Sequence, residues 1–147
     1  MKWEKSIFAL NSILENPFVQ TGYKELIKYK RNDGVELSGT LYLPKGYDRT
    51  KKEKLPLLIW AYPEEFKDKA SAAQSTQNPN EFTYPSYGSM IYWVTRGYVV
   101  LDDASFPIVG EGDKEPNDTF LKQLVANAKA AIDAVDKLGY IDRNRVA

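Results

Sequence analysis

Histidine and cysteine are both absent from these 147 residues, so any chemistry the chain performs by itself falls to carboxylates, tyrosine, lysine or serine. Thiol nucleophiles, disulfides, Cys/His zinc sites, histidine general bases and a complete Ser-His-Asp triad are excluded. Among the groups that remain, Asp102 and Asp103 follow the apolar run Tyr98-Val99-Val100-Leu101, at what reads as the carboxyl end of a strand, where open α/β sheets collect ligands. Adjacent strand residues face opposite ways, so these two do not readily form a carboxylate pair. Joined by Glu64 or Glu65, one of them could act as acid or base in a glycosidase-like site. The plainer reading of the glutamates is a solvated loop. Glu111, Asp113, Glu115 and Asp118 could hold calcium but lack the D-x-D-x-D-G spacing and the closing bidentate Glu. They read as exposed charge, Asp118 favouring the positive end of a following helix. Gly110-Glu111-Gly112-Asp113 has neither a third glycine at dinucleotide spacing nor a P-loop Lys-Ser/Thr, so no nucleotide site is expected. No motif calls for a cofactor or a metal.

The elements that must position these groups follow from periodicity and punctuation. Residues 1–22 read as a connector, with a short apolar segment at Ile7, Phe8, Leu10, Ile13 and Leu14 that stops at Asn16-Pro17 and Thr21-Gly22. Glu25 to Lys30 and Val35 to Leu43 flank Asn32-Asp33-Gly34, a strong hairpin signal. Leu57 to Tyr62 is continuously apolar, as in a strand buried on both faces. Pro63 to Pro85 reads as loop with one short helix. Tyr87 to Arg96 reads as a short amphipathic helix closed by Gly97, and Tyr98 to Asp102 as a second buried strand, which together make a βαβ unit. Asn117 or Asp118 can cap a long helix whose apolar positions Phe120, Leu121, Leu124, Val125, Ala128, Ile132, Val135 and Leu138 keep a 3.6-residue period up to Gly139. Tyr140 to Arg145 reads as a connector, and Val146-Ala147 as the opening of a third parallel strand.

Composition agrees with a packed domain: 43% apolar and 27% charged residues support a core and argue against disorder. Twenty Lys and Arg balance twenty Asp and Glu, so no net field favours nucleic acid or an anionic membrane. The apolar stretch from Ile7 to Leu14 is too short and broken for a signal peptide, and no run approaches a transmembrane span. A soluble domain is expected, its compartment left open because a chain without thiols folds alike in the cytoplasm and the periplasm. The aromatics Trp60, Tyr62, Phe66, Phe82, Tyr84, Tyr87, Tyr92 and Trp93 gather around the third strand and its loop. Most read as packing, and a minority could line a substrate cleft.

The order strand, loop, helix, strand, loop, long helix, Arg-Val is the one that precedes the nucleophile elbow of α/β-hydrolases. Arg96-Gly97-Tyr98-Val99-Val100 and Asn117-Asp118 through Leu138-Gly139-Tyr140-Ile141-Asp142-Arg143-Asn144-Arg145-Val146-Ala147 resemble the prolyl oligopeptidase family of serine peptidases. Trp60-Ala61-Tyr62-Pro63-Glu64-Glu65-Phe66 and Ser105-Phe106-Pro107-Ile108-Val109-Gly110-Glu111-Gly112-Asp113 resemble its glutamyl endopeptidase-like branch. The resemblance runs from about Tyr23 to Ala147. It implies a partial α/β-hydrolase fold: an N-terminal antiparallel hairpin, then parallel βαβ units and a long C-terminal helix. Residues 1–22 would then be the connector from a preceding β-propeller, and 23–147 the first portion of the peptidase domain.

The resemblance further implies a parent that hydrolyses peptide bonds by Ser acylation, with all three triad residues beyond the position of Ala147, so that this chain alone is expected to be inactive. Tyr62 stands where the family places a tyrosine whose hydroxyl donates to the oxyanion hole. The packing alternative puts its ring in the core and its hydroxyl on backbone. A non-catalytic, aromatic-rich binding domain is the rival function. Peptide is the implied substrate of the parent, and the isolated chain is expected to self-associate through a bare edge on the Leu57 to Tyr62 strand.

Overall fold

The computed structural model describes residues 22–72 and 86–147. The expected connector at residues 1–22 lies outside them except for Gly22, as do Phe82, Tyr84 and most of the loop before Pro85. Five strands form one mixed sheet: β1 (Tyr23–Lys30), β2 (Glu36–Leu43), β3 (Leu55–Phe66), β4 (Val99–Val109) and β5 (Ile141–Val146), in the order β1-β2-β4-β3-β5. β1 and β2 are the expected antiparallel hairpin, turning at Gly34 with φ 88°. β4 runs antiparallel to β2 and parallel to β3. β3 and β4 are joined through α1 (Lys69–Ala72) and a 3-10 helix at Met90–Arg96 that ends on left-handed Gly97. α2 (Phe120–Leu138) follows a 3-10 turn at Pro116–Thr119 and ends at Gly139, φ 87°. The fold class is the expected one.

Alternation sorts the side chains to two faces. On one face Leu41, Leu43, Leu57, Val99, Leu101, Ala104 and Ile141 meet Ala131 and Val135 of α2. On the other, Tyr42 and Val100 pack against Ile91 and Val94 of the 3-10 helix. The buried stripe of α2 is Asn127, Ala131 and Val135; Leu121 and Val125, which share the helical period, are 72% and 61% exposed.

Three boundaries differ from the sequence reading. β4 continues six residues past Asp103, so the two aspartates sit within the strand and not at its end. The parallel strand after α2 starts at Ile141, which is buried and pairs with Leu55 of β3, and Val146 pairs with Leu57 beyond the polar residues between them. β3 reaches Phe66 but is not buried on both faces: Trp60 and Tyr62 are exposed. Nor is β3 an edge strand. β5 pairs with it at Leu55 and Leu57, and Ile59 N–H donates to the Ala147 carbonyl at 2.8 Å. The outer edge on that side is β5's, which carries Arg143 paired with Asp133 and Arg145 paired with Asp142, charges of the kind that blunt strand-to-strand pairing.

One polar cluster joins the hairpin to α2. Arg31 is 4% exposed, and each of its five N–H groups has an acceptor. Nε and Nη2 clasp Asp33 at 2.8 Å each, Nη1 reaches the Pro107 carbonyl at 3.1 Å and Asn127 Oδ1 at 2.8 Å, and Nη2 also reaches Gln123 Oε1 at 3.0 Å. Gln123 in turn grips Val109 on both backbone groups, accepting from its N–H at 2.9 Å and donating to its carbonyl at 2.8 Å. Asn127 Nδ2 donates to Pro107 O. The guanidinium's hydrogen bond holds the Asp33 carboxyl below its ordinary value.

Arg31→Met removes the donor to the buried Asn127 Oδ1 and is expected to cost about 3 kcal/mol, read as a lower urea midpoint. Asp33→Asn should destabilise fully above the ordinary carboxylate value of 3.8 and progressively less below it. The ionised partner's contribution is complete above that pH and fades as acid protonates the native carboxylate. A loss for Asp33→Asn that is equal in acid and at neutrality would contradict the pairing.

Candidate functional site

The carboxyl halves of β3 and β4, on the face that carries the 3-10 helix, hold most of the chemistry-bearing side chains. A β-bulge prepares this region. Ile59 pairs with Leu101 and Ala61 with Ala104, so Asp102 and Asp103 together oppose the single residue Trp60. Asp103 takes φ 50°, a left-handed conformation that Asp tolerates better than most residues. The extra residue returns Ala104 to the α2 face while Asp102 stays on the side of Trp60. Gly39 of β2 makes room for this turn: a Cβ there would lie 2.9 Å from Leu101 Cδ1 and 3.3 Å from Ala104 Cα. Beyond the bulge Ser105 lies level with Tyr62, and its hydroxyl sits 3.2 Å from that of Ser38.

Tyr62 is 78% exposed. Its ring is not in the core, so the packing alternative fails, and the hydroxyl stands at the open face of the strand. Trp60, two residues earlier on the same face, is 52% exposed. With Tyr87, Asp102 and the segment from Ser86 to Ile91 it lines a cleft of about 360 Å³. The aromatics read as packing are therefore mostly surface: Tyr87, Tyr92 and Trp93 are also exposed. Desolvation in the cleft pushes the Asp102 carboxyl above its ordinary value, the adjoining Asp103 charge adds to the rise, and the Asp103 N–H opposes it.

The glycosidase-like combination does not assemble. Glu64 lies four residues beyond Trp60 on β3, roughly 13 Å along a strand, too far from Asp102 for paired carboxylates. Glu65 faces the opposite side, and both glutamates are solvated on the strand itself, not in a loop. Glu111, Asp113, Glu115 and Asp118 are exposed. Glu111 pairs with Lys69, and the Asp118 carboxylate accepts from the Glu115 N–H. Among the described residues no group of three or more acidic side chains is placed to hold a metal ion. Gly110 to Asp113 belongs to a tight turn closed between Glu111 and Lys114, with Gly112 at φ 62°. Sequence reasoning missed the Trp60–Asp102 cleft because the bulge that brings the two together has no sequence signature; it missed Arg31 because a lone arginine beside a turn reads as solvent-exposed.

No family model matches the chain. It is 48% identical over 124 residues to a protein named probable glutamyl endopeptidase, chloroplastic, from Arabidopsis thaliana, covering 84% of this chain and 13% of that protein. A protein of the same name from Oryza sativa subsp. japonica is 44% identical over 131 residues, 89% of this chain and 14% of that one. The chain thus spans about one seventh of the length of these relatives. Among solved structures, a post-proline cleaving enzyme from Rickettsia typhi superposes with a TM-score of 0.53 at 19% identity, over 86% of this chain and 17% of that one, a likeness of fold. The resemblance to the glutamyl endopeptidase-like branch of the prolyl oligopeptidase family holds, and the named relatives are peptidases. No helix among the described residues is long and apolar enough to cross a membrane.

Asp102 is protonated more readily folded than unfolded, so its charge weighs on the native state above its native titration and ceases to do so below the ordinary 3.8. Asp102→Asn should raise the melting temperature at neutral pH by about 2 °C, a small change because the carboxyl is still partly in water. The gain should vanish in acid. Melts over a pH series check this, and a gain independent of pH would contradict it.

Proposed function

We propose that this chain, a homologue of glutamyl endopeptidases over most of its own length, is the opening portion of a serine peptidase's α/β-hydrolase domain. In that domain Tyr62 would donate a hydrogen bond to the oxyanion formed when serine attacks the peptide carbonyl. The observation that carries the reading is the placement of Tyr62: an exposed phenol at the carboxyl half of an internal parallel strand, where α/β sheets meet ligands, within a segment that resembles the family's.

The chemistry fits the residue inventory. With no histidine in the chain, the base comes from elsewhere in the polypeptide, and in this reading the nucleophile and the base's carboxylate partner do too. They perform acylation by transferring the serine proton to histidine and then to the leaving amine. The part left to these 147 residues is electrostatic. A fixed O–H aimed at charge that exists only in the tetrahedral intermediate lowers the barrier without tightening ground-state binding. Rigidity of the support matters as much as the donor, and β3 supplies it, flanked by β4 along its length and by β5 at its start.

The rival reading, a non-catalytic binding domain, draws on the exposure of Trp60, Tyr87, Tyr92 and Trp93. The two part on turnover. In the longer polypeptide that includes the nucleophile, Tyr62→Phe should lower kcat by about 10²- to 10³-fold with little change in KM, while the 147-residue chain alone should cleave no peptide. Unchanged kcat in Tyr62→Phe removes the residue from the mechanism. Absence of cleavage by the longer polypeptide favours the binding domain.

A further inference from the structure

We infer that the cleft between Trp60, Tyr87 and Asp102 is a binding subsite for a cationic side chain, a primary ammonium or a guanidinium, carried by a peptide. Asp102, Trp60 and Tyr87 together line a concave site. Its remaining lining, Ser86 and Gly88 to Ile91, contributes hydroxyl, backbone and apolar groups and no positive charge. Among the described residues Asp102 enters no salt bridge with a lysine or arginine. A partly desolvated carboxylate costs stability unless a cation or several donors face it; the Asp103 N–H donates to it. Aromatic faces add attraction for an ammonium or guanidinium group. Apolar walls at Met90 and Ile91 suit the methylene stem that such a side chain brings with it.

Position links the cleft to Tyr62. Trp60 and Tyr62 share a face two residues apart, roughly 7 Å along the strand, which matches the spacing of same-side residues in an extended peptide. A peptide lying along this face with one carbonyl at the Tyr62 hydroxyl could place a nearby side chain over Trp60. As a peptide subsite the inference rests on the peptidase reading; as a cation site it stands on the cleft alone.

The test uses the full 147-residue chain, labelled with nitrogen-15, titrated with Nα-acetyl-lysine amide and Nα-acetyl-arginine amide, with the neutral Nα-acetyl-norleucine amide as control. Saturable shifts of the Trp60 indole N–H with both cationic probes and none with norleucine are expected. Asp102→Asn should weaken binding about tenfold, the usual scale for a lost charged hydrogen bond, while Asp103→Asn leaves it intact. The Asp102→Asn fold is checked by its own spectrum. Equal shifts with norleucine, or unaltered affinity in Asp102→Asn, overturn the inference. Because the readout is binding and not turnover, failure here leaves the Tyr62 kinetics to stand or fall separately, and failure of the peptidase reading leaves a cation site with a different employer.

Discussion

A buried guanidinium sets the geometry of this domain. Arg31 sits at the tip of the hairpin, and its five donors are divided among Asp33 on the same turn, the Pro107 carbonyl at the end of β4, and Gln123 and Asn127 on α2. A charge this deep is tolerated only when every donor is matched. The match requires the hairpin, the last residues of β4 and the first turns of α2 to occupy fixed positions together. Gln123 extends the constraint by pairing with both backbone groups of Val109 as a strand would, so the helix closes the end of the ladder. Apolar packing holds α2 against the sheet through Ala131 and Val135; the polar cluster decides where along the sheet the helix begins.

The second constraint is local. A single additional residue in β4 at Asp102–Asp103, admitted by the absence of a side chain at Gly39, divides the sheet into two regimes. Before it, β4 is an apolar ladder sealed by the 3-10 helix at Val100 and by α2 at Leu101. After it, the face toward the 3-10 helix becomes polar and aromatic, with Tyr62, Ser105 and Ser38 along it and the cleft of Trp60 and Asp102 at its base. Bulges near functional sites re-aim side chains in this manner, and here the exposed phenol of Tyr62 and the desolvated carboxylate of Asp102 end up on one surface.

These two constraints suit a role in electrostatic positioning more than in bond making. The chain holds donors, aromatic faces and, at Asp102, a carboxyl raised above its ordinary value, but no histidine or cysteine. Its similarity to glutamyl endopeptidases spans most of its own length and about one seventh of theirs. A strand pair that holds an exposed phenol and a partly desolvated carboxylate on one face is consistent with the electrostatic part proposed for it, since preorganised dipoles gain most of their catalytic effect from not having to reorganise.

By itself the sequence determined the class of chemistry and the order of elements. The missing histidine and cysteine, the Asp33-Gly34 turn, the long helix ending at Gly139 and the family-like segments around Tyr62 are local properties, readable from residue type, period and punctuation. The tertiary structure decided what depends on partners far apart in the chain. Burial of Arg31 needs acceptors 76 and 96 residues away, so its own neighbourhood could not announce it. Val125 and Ala131 share the apolar character of α2, but which of them meets the sheet was fixed by the helix's rotation against β4, leaving one exposed and the other buried. The bulge that carries β4 past Asp103, the pairing of β5 with β3, and the exposure of Trp60 and Tyr62 arose likewise, because strand register and face coverage are properties of neighbours and not of the strand.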